Sequence, residues 1–193
     1  RPSAEIGIRL LAVTLRRQCP GTRTVLFHAN PTEGLRRWLV DFPDIELVTQ
    51  KLPGGGTADV KPHALLAMLD RGHRHVVWLD TDMMLAGDPR PLFMKLAPEV
   101  IGLAEEVRLA PNQGTELRTR GWGFEVGRSL PFTLNTCVTR ITTHHRPLME
   151  EWGRLLSDDR YTRHFVIDLQ HRPAHAMYDL DVLNALLGAR PWS

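Results

Sequence analysis

Apolar positions recur at helical spacing through Ile6, Leu10, Leu11, Val13 and Leu15, and Cys19, Pro20 and Gly21 then break the pattern, which predicts a first helix. The β-rich run Thr24 to Phe27 predicts a strand, Pro31 to Val40 a helix opening on proline, and Ile45 to Thr49 a second strand after the break at Phe42, Pro43 and Asp44. Following the triplet Gly54, Gly55 and Gly56, a helix is predicted from about Asp59 to Asp70, with Pro62 tolerated because it falls in the first turn. The apolar strand His75 to Leu79 comes next. This alternation of helix and strand predicts an α/β fold, a Rossmann-like, mainly parallel sheet flanked by helices on both faces. A first strand is expected just before Ala4, outside this chain.

Beyond Pro98 the pattern loosens. Val100 to Ala104 reads as a strand, Glu105 to Arg128 as a long polar, glycine-containing loop, and Phe132 to Ile141 as strand-like again. Helices are predicted at Arg146 to Leu156 and Asp179 to Leu187. A loop as long as Glu105 to Arg128 in a compact domain is usually functional or mobile.

With 193 residues and 42% apolar content the chain can bury one core, so a single domain over 1–193 is expected, lacking its first strand and its C-terminal end. The formal charge of +2 is spread along the sequence, which argues against a nucleic-acid partner. Two cysteines, Cys19 and Cys137, exclude a disulfide scaffold and fit a reducing compartment. No window approaches the roughly 18 consecutive apolar residues of a membrane span, and the first residues lack the regions of a signal peptide, so a cytoplasmic location is expected.

The chemistry concentrates at Val76-Val77-Trp78-Leu79-Asp80-Thr81-Asp82. In an extended chain residues i and i+2 point to one face, so Asp80 and Asp82 would converge on one ion if strand geometry persists that far. Open parallel sheets bind ligands outside the carboxyl ends of their strands, where this pair sits. Carboxylate oxygens suit magnesium or manganese, which bind through one or two carboxylates plus substrate phosphates. Roughly one Asp-x-Asp is expected by chance in such a chain, and Asp179 and Asp181 supply a second. The competing reading is a capping or turn aspartate at a strand end.

From Lys61 to Leu187 the chain resembles glycosyltransferases of the A-type fold, especially the group containing glycogenin and the bacterial lipopolysaccharide galactosyltransferases (glycosyltransferase family 8-like). Three blocks in order carry the resemblance: Trp78 to Leu85 with Gly87-Asp88 and Pro91-Leu92-Phe93; Phe132 to Val138 with Asn135-Thr136-Cys137-Val138; and Tyr178-Asp179-Leu180-Asp181-Val182-Leu183-Asn184. The resemblance implies a metal-dependent transferase, retaining in outcome, that moves a sugar from a nucleotide-diphosphate sugar such as a UDP-sugar to a carbohydrate or other acceptor hydroxyl, using Mn2+ or Mg2+. It implies that Asp80 and Asp82 bind the cation, Asp82 closest to the diphosphate, that Asp80, Thr81 and either Lys61 or His63 contact the donor, and that Asn135 and Asp179 contact the donor sugar or line the acceptor side. Asp181 and Asn184 are read instead as a structural pair.

Leu180 replaces the family's polar residue between the late carboxylates, and Thr136 and Cys137 replace its small residues. A late histidine that often completes the metal shell would fall beyond Ser193. Two alternatives stay open: a nucleotidyltransferase of similar topology, and a catalytically silent binding module, which Leu180 keeps in play. His171 and His175 have the i, i+4 spacing of helical zinc sites, but Pro173 breaks the helix. The glycine triplet lacks the Gly-Lys-Ser/Thr ending of a phosphate loop. Trp122 and Phe124 could stack on a sugar or pack inward, and Arg118, Arg120 and Arg128 could meet an anionic acceptor or solvent.

Overall fold

The computed structural model describes residues 2–54, 58–106, 114–168, 171–173 and 175–192. Gly55, Gly56 and the first part of the long polar loop, 107–113, lie outside the described residues. The chain divides into two compact units, one of Arg1–Leu52 and Leu79–Ala97, the other of Pro53–Trp78 and Pro98–Ser193.

In the first unit, α1 (Pro2–Gln18) precedes β1 (Thr24–Phe27), α2 (Glu33–Leu39) and β2 (Ile45–Val48), and the short helix α4 (Arg90–Met94) follows later in the chain. β1 and β2 pair in parallel from Thr24 opposite Ile45 to Phe27 opposite Val48. Ile8, Leu35 and Leu39 form the buried centre, with Leu26, Ile45 and Leu47 of the strands packed on them. Pro31 does not open α2. Thr32 does, its hydroxyl accepting the Leu35 N–H at 3.1 Å as a side-chain cap. The buried Glu5 locks that cap in turn, accepting from Thr32 N–H at 2.8 Å and Thr32 Oγ1 at 2.6 Å, and these bonds hold its carboxyl below the ordinary value.

The second unit holds α3 (Lys61–Asp70), β3 (His75–Leu79, whose last residue falls in the first unit), β4 (Gly102–Glu105), α5 (Thr115–Gly121), β5 (Leu134–Thr142), α6 (Arg146–Leu156), α7 (Asp159–Thr162) and α8 (Asp179–Gly188). The strands form a sheet in the order β3-β5-β4, and β4 runs antiparallel to β5 with an irregularity between Leu103 and Ala104. Its core joins Leu65 and Leu69 of α3, Met149, Trp152 and Leu155 of α6, and Val182, Leu183 and Leu186 of α8.

The α/β class is as expected, but the described strands do not form one mainly parallel sheet. They form a parallel pair and a separate three-stranded sheet with an antiparallel pair. Among the described strands β3 lies at a sheet edge and β5 in the centre. Accordingly Val76 and Trp78 pack on the core while Val77 stays 39% exposed. The long polar segment is not all loop either, since α5 occupies Thr115–Gly121. Among the described residues no helix is long and apolar enough to cross a membrane.

Candidate functional site

Each unit holds some of the candidate residues. In the first, β3 ends at Leu79 and the chain turns at once, the Met83 N–H donating to the Asp80 carbonyl at 3.3 Å. The extended geometry expected to carry Asp80 and Asp82 onto one face therefore stops one residue short, and the pair occupies a turn instead. Asp80 and Thr81 are half-buried and Asp82 is exposed. The turn rests on α1. Leu85 N–H donates to Thr14 Oγ1 at 3.2 Å, and a Cβ at Gly7 would collide with the Thr81 carbonyl oxygen. Only glycine allows α1 this close to the backbone between the two carboxylates. Gly7→Ala is expected to cost about 1–3 kcal/mol in a urea titration, because the turn must shift to admit the methyl group.

The block after the turn also has a role in holding the chain. Arg90 forks onto Asp88, with Nη2 to Oδ2 at 2.7 Å and Nε to Oδ1 at 2.9 Å, and its backbone N–H meets Oδ1 at 2.9 Å. These bonds hold the Asp88 carboxyl at about 2, and Cys19 Sγ donates to the same group at 3.5 Å.

In the second unit the candidates from the two ends of the resemblance meet. Lys61 Nζ donates to Thr136 Oγ1 at 2.9 Å, Thr136 Oγ1 donates to Asp179 Oδ2 at 2.9 Å, and the ammonium lies 3.3 Å from the same carboxylate oxygen. Lys61 and Asp179 are each 5% exposed, and Thr136 is 1% exposed. A charge pair this deep requires its hydrogen-bond partners, and Thr136 supplies one on each side. Neighbouring contacts brace both ends. Trp152 Nε1 donates to the Asp179 carbonyl at 3.0 Å, and Tyr161 OH donates to Asp59 Oδ1 at 2.9 Å in the turn before α3. Burial, and Asp59 beside it, push the Tyr161 phenol well above its ordinary value.

Thr136 was noted in the sequence only as a departure from small residues, and its bridging role was missed. The signal was a hydroxyl in a strand-like block that also holds Asn135. Asn135 itself is half-buried. Its Oδ1 accepts the Cys137 N–H at 2.7 Å and its Nδ2 donates to Glu106. Each end of the amide keeps one further proton or lone pair for a ligand.

His63 is not joined to this network by any bond described here. Its ring sits against Gly153 of α6, where an added Cβ would come within 3.0 Å of Cε1, and burial lowers its pKa. Of the two basic candidates, Lys61 is the one brought to Asp179. Asp181 and Asn184, read as a structural pair, each hold separate partners. Asp181 Oδ1 takes Arg118 Nε at 2.6 Å, while Asn184 accepts from Leu134 N–H at 2.8 Å and returns a bond to the Leu134 carbonyl at 2.7 Å. Arg118 is therefore an interior residue, 1% exposed, and Arg120 pairs with Glu116 at 2.9 Å. Trp122 packs inward at 4% exposure, with Nε1 donating to the His175 carbonyl at 2.7 Å.

No family model, curated protein or solved structure matches the chain.

The donor set decides which cation would suit. Among the described residues no group of three or more His, Cys, Asp or Glu side chains is gathered that could hold a metal. A zinc site built wholly of protein donors is absent from the described residues, and His175 packs on Gly121 instead. Two carboxylates in one turn match magnesium or manganese, which keep several waters and bind phosphate oxygens as further ligands.

Proposed function

We propose that the chain is a metal-dependent glycosyltransferase that moves a sugar from a nucleoside-diphosphate donor to an acceptor hydroxyl, with retention of configuration, on a Rossmann-like A-type glycosyltransferase fold. The observation that carries the reading is the buried Lys61, Thr136 and Asp179 triad. Its members come from the helix before the carboxylate turn and from the two later blocks of the resemblance, 75 and 43 positions apart. A parallel strand pair with its helices adds support.

In this reading Asp80 and Asp82 would hold Mn2+ or Mg2+, and Thr81, next to both in sequence, would contact the donor. When bound, the cation offsets negative charge on the departing diphosphate. Lys61 holds Asp179 in one orientation through the carboxylate oxygen that both Lys61 and Thr136 contact, and Thr136 fixes the geometry of both. Asn135 presents the free valences of its amide to the donor sugar or the acceptor. A nucleotide with a uracil base and a carbohydrate acceptor are the substrates that the resemblance favours.

Two observations favour a second reading, a silent binding module that keeps the fold. Lys61 and Asp179 neutralise each other at 5% exposure, and Leu180 places a hydrocarbon side chain between the late carboxylates.

Calorimetric titration with nucleoside mono-, di- and triphosphates, with and without manganese, separates the readings. Cation-dependent binding of a nucleoside diphosphate is expected. Asp82→Ala is expected to abolish that binding while the unfolding free energy stays within about 0.5 kcal/mol of the parent, since Asp82 is exposed. Unchanged affinity in the variant would remove the carboxylate turn from the donor site, and no nucleotide binding at all would favour the silent module.

A further inference from the structure

The second unit carries an open cleft of about 480 Å³ to which nothing above assigns a role. Leu186 of α8, 1% exposed, forms part of its floor. Phe124 and Trp192 line it as well, both half-buried and packed against the core. Glu125, Glu151 and Arg190 supply polar groups.

The cleft is held by main-chain bonds. Val126 bridges Ala189 in antiparallel fashion, Arg190 N–H donates to the Glu125 carbonyl at 3.0 Å, and Trp192 N–H donates to the Ala189 carbonyl at 3.0 Å. These contacts tie the segment after α5 to the turn after α8, so Phe124 and Trp192 are presented by a braced backbone. The volume lies within the usual range for a small-molecule site, as does the mixture of apolar lining and a few polar groups.

The charges around the cleft select its occupant. Glu125 pairs with Arg190 at 2.9 Å, and Glu151 pairs with Arg154 at 2.6 Å. Each carboxylate is matched by a guanidinium, so neither an anion nor a cation meets an excess of opposite charge. The carboxylates nonetheless keep spare lone pairs. A neutral ring that is apolar on one face and hydroxylated at its edge satisfies both halves: C–H groups against the aromatic rings, hydroxyls to the carboxylates. We propose that this cleft binds a neutral pyranose unit of a saccharide. The proposal goes beyond the transferase reading, because binding here requires neither nucleotide nor cation.

The test is saturation-transfer NMR on the whole chain with maltose, cellobiose, lactose and chitobiose, with no nucleotide and no metal present. Saturable binding of at least one sugar is expected in about the millimolar range. Trp192→Ala is expected to weaken it about tenfold or more and Trp192→Phe to retain most of it, because the stacking face survives. If Trp192→Ala fails to fold, Glu151→Gln is expected to weaken binding severalfold through the lost carboxylate acceptor. The proposal is overturned if no sugar gives a saturable signal, if neither Trp192→Ala nor Glu151→Gln changes affinity, or if the cleft takes up indole while rejecting every sugar. Because nucleotide and metal are omitted, those failures leave the donor titration as a separate result.

Discussion

Asp181→Ala lowers the unfolding free energy by about 3–5 kcal/mol, the range seen when one partner of a buried ion pair is removed. The side chains of Asp181 and Arg118 are both 2% exposed, and Nε lies 2.6 Å from Oδ1. Burial pushes the Asp181 carboxyl up from its ordinary value, while the Arg118 guanidinium and the Tyr178 N–H at 2.9 Å favour the charged form. Losing the carboxylate leaves a guanidinium in the interior with the Gly114 carbonyl at 3.1 Å as its remaining described bond. The double replacement Arg118→Met with Asp181→Leu is expected to recover most of the loss, since it removes both desolvated charges and restores apolar volume. Urea unfolding of the two single variants and the double variant measures this. Equal destabilisation by the single and double variants would show that shape, not charge pairing, governs the position.

Trp152→Ala is expected to cost a comparable amount, about 3–5 kcal/mol, because the indole is fully buried among α3, α6 and α8. Its ring also holds the start of α8 through the 3.0 Å bond to the Asp179 carbonyl. Trp152→Phe separates the two contributions. It keeps most of the packing and deletes the donor, so a loss of about 1 kcal/mol for the bond plus a smaller packing term is expected. If the phenylalanine variant is as unstable as the alanine variant, the hydrogen bond rather than the ring volume sets the stability of this junction.

How much was legible in the sequence depended on whether apolar pattern and local chemistry agreed. β1, β3 and α6 have the bounds that the pattern predicted, since each is an apolar or amphipathic run between clear breakers. α5 escaped because its buried face is polar: Thr115, Arg118 and Thr119 point inward and are satisfied there by Asp181 and by main-chain carbonyls, so no hydrophobic period marks the helix. α4 and α7 are only one turn or so long, too short to show a period. The antiparallel pairing of β4 with β5 was hidden for a different reason. Alternation of element types constrains which strands exist, and not their direction once a long connection intervenes.

The candidate site was legible to a similar degree. Lys61 and Asp179 were nominated from motif order and prove to be partners, while Thr136, which links them, looked like an imperfection. His63 was nominated beside Lys61 because both are basic. Two positions along a helix rotate a side chain by about 200°, so His63 leaves the face that carries Lys61, and Gly153 opens space for its imidazole against α6. The strand geometry assumed for Asp80 and Asp82 failed where the chain turns after Leu79, a change that spacing alone does not reveal.

The amide of Asn184 has a consequence for how the molecule behaves in company. By filling both the N–H and the carbonyl of Leu134, it imitates one residue of an adjoining strand at the mouth of β5. Main-chain groups left open at such a place offer a template on which a stray extended chain can dock. Here a side chain from α8 already fills that template, so at this point the helix guards the sheet against recruitment into larger β-assemblies.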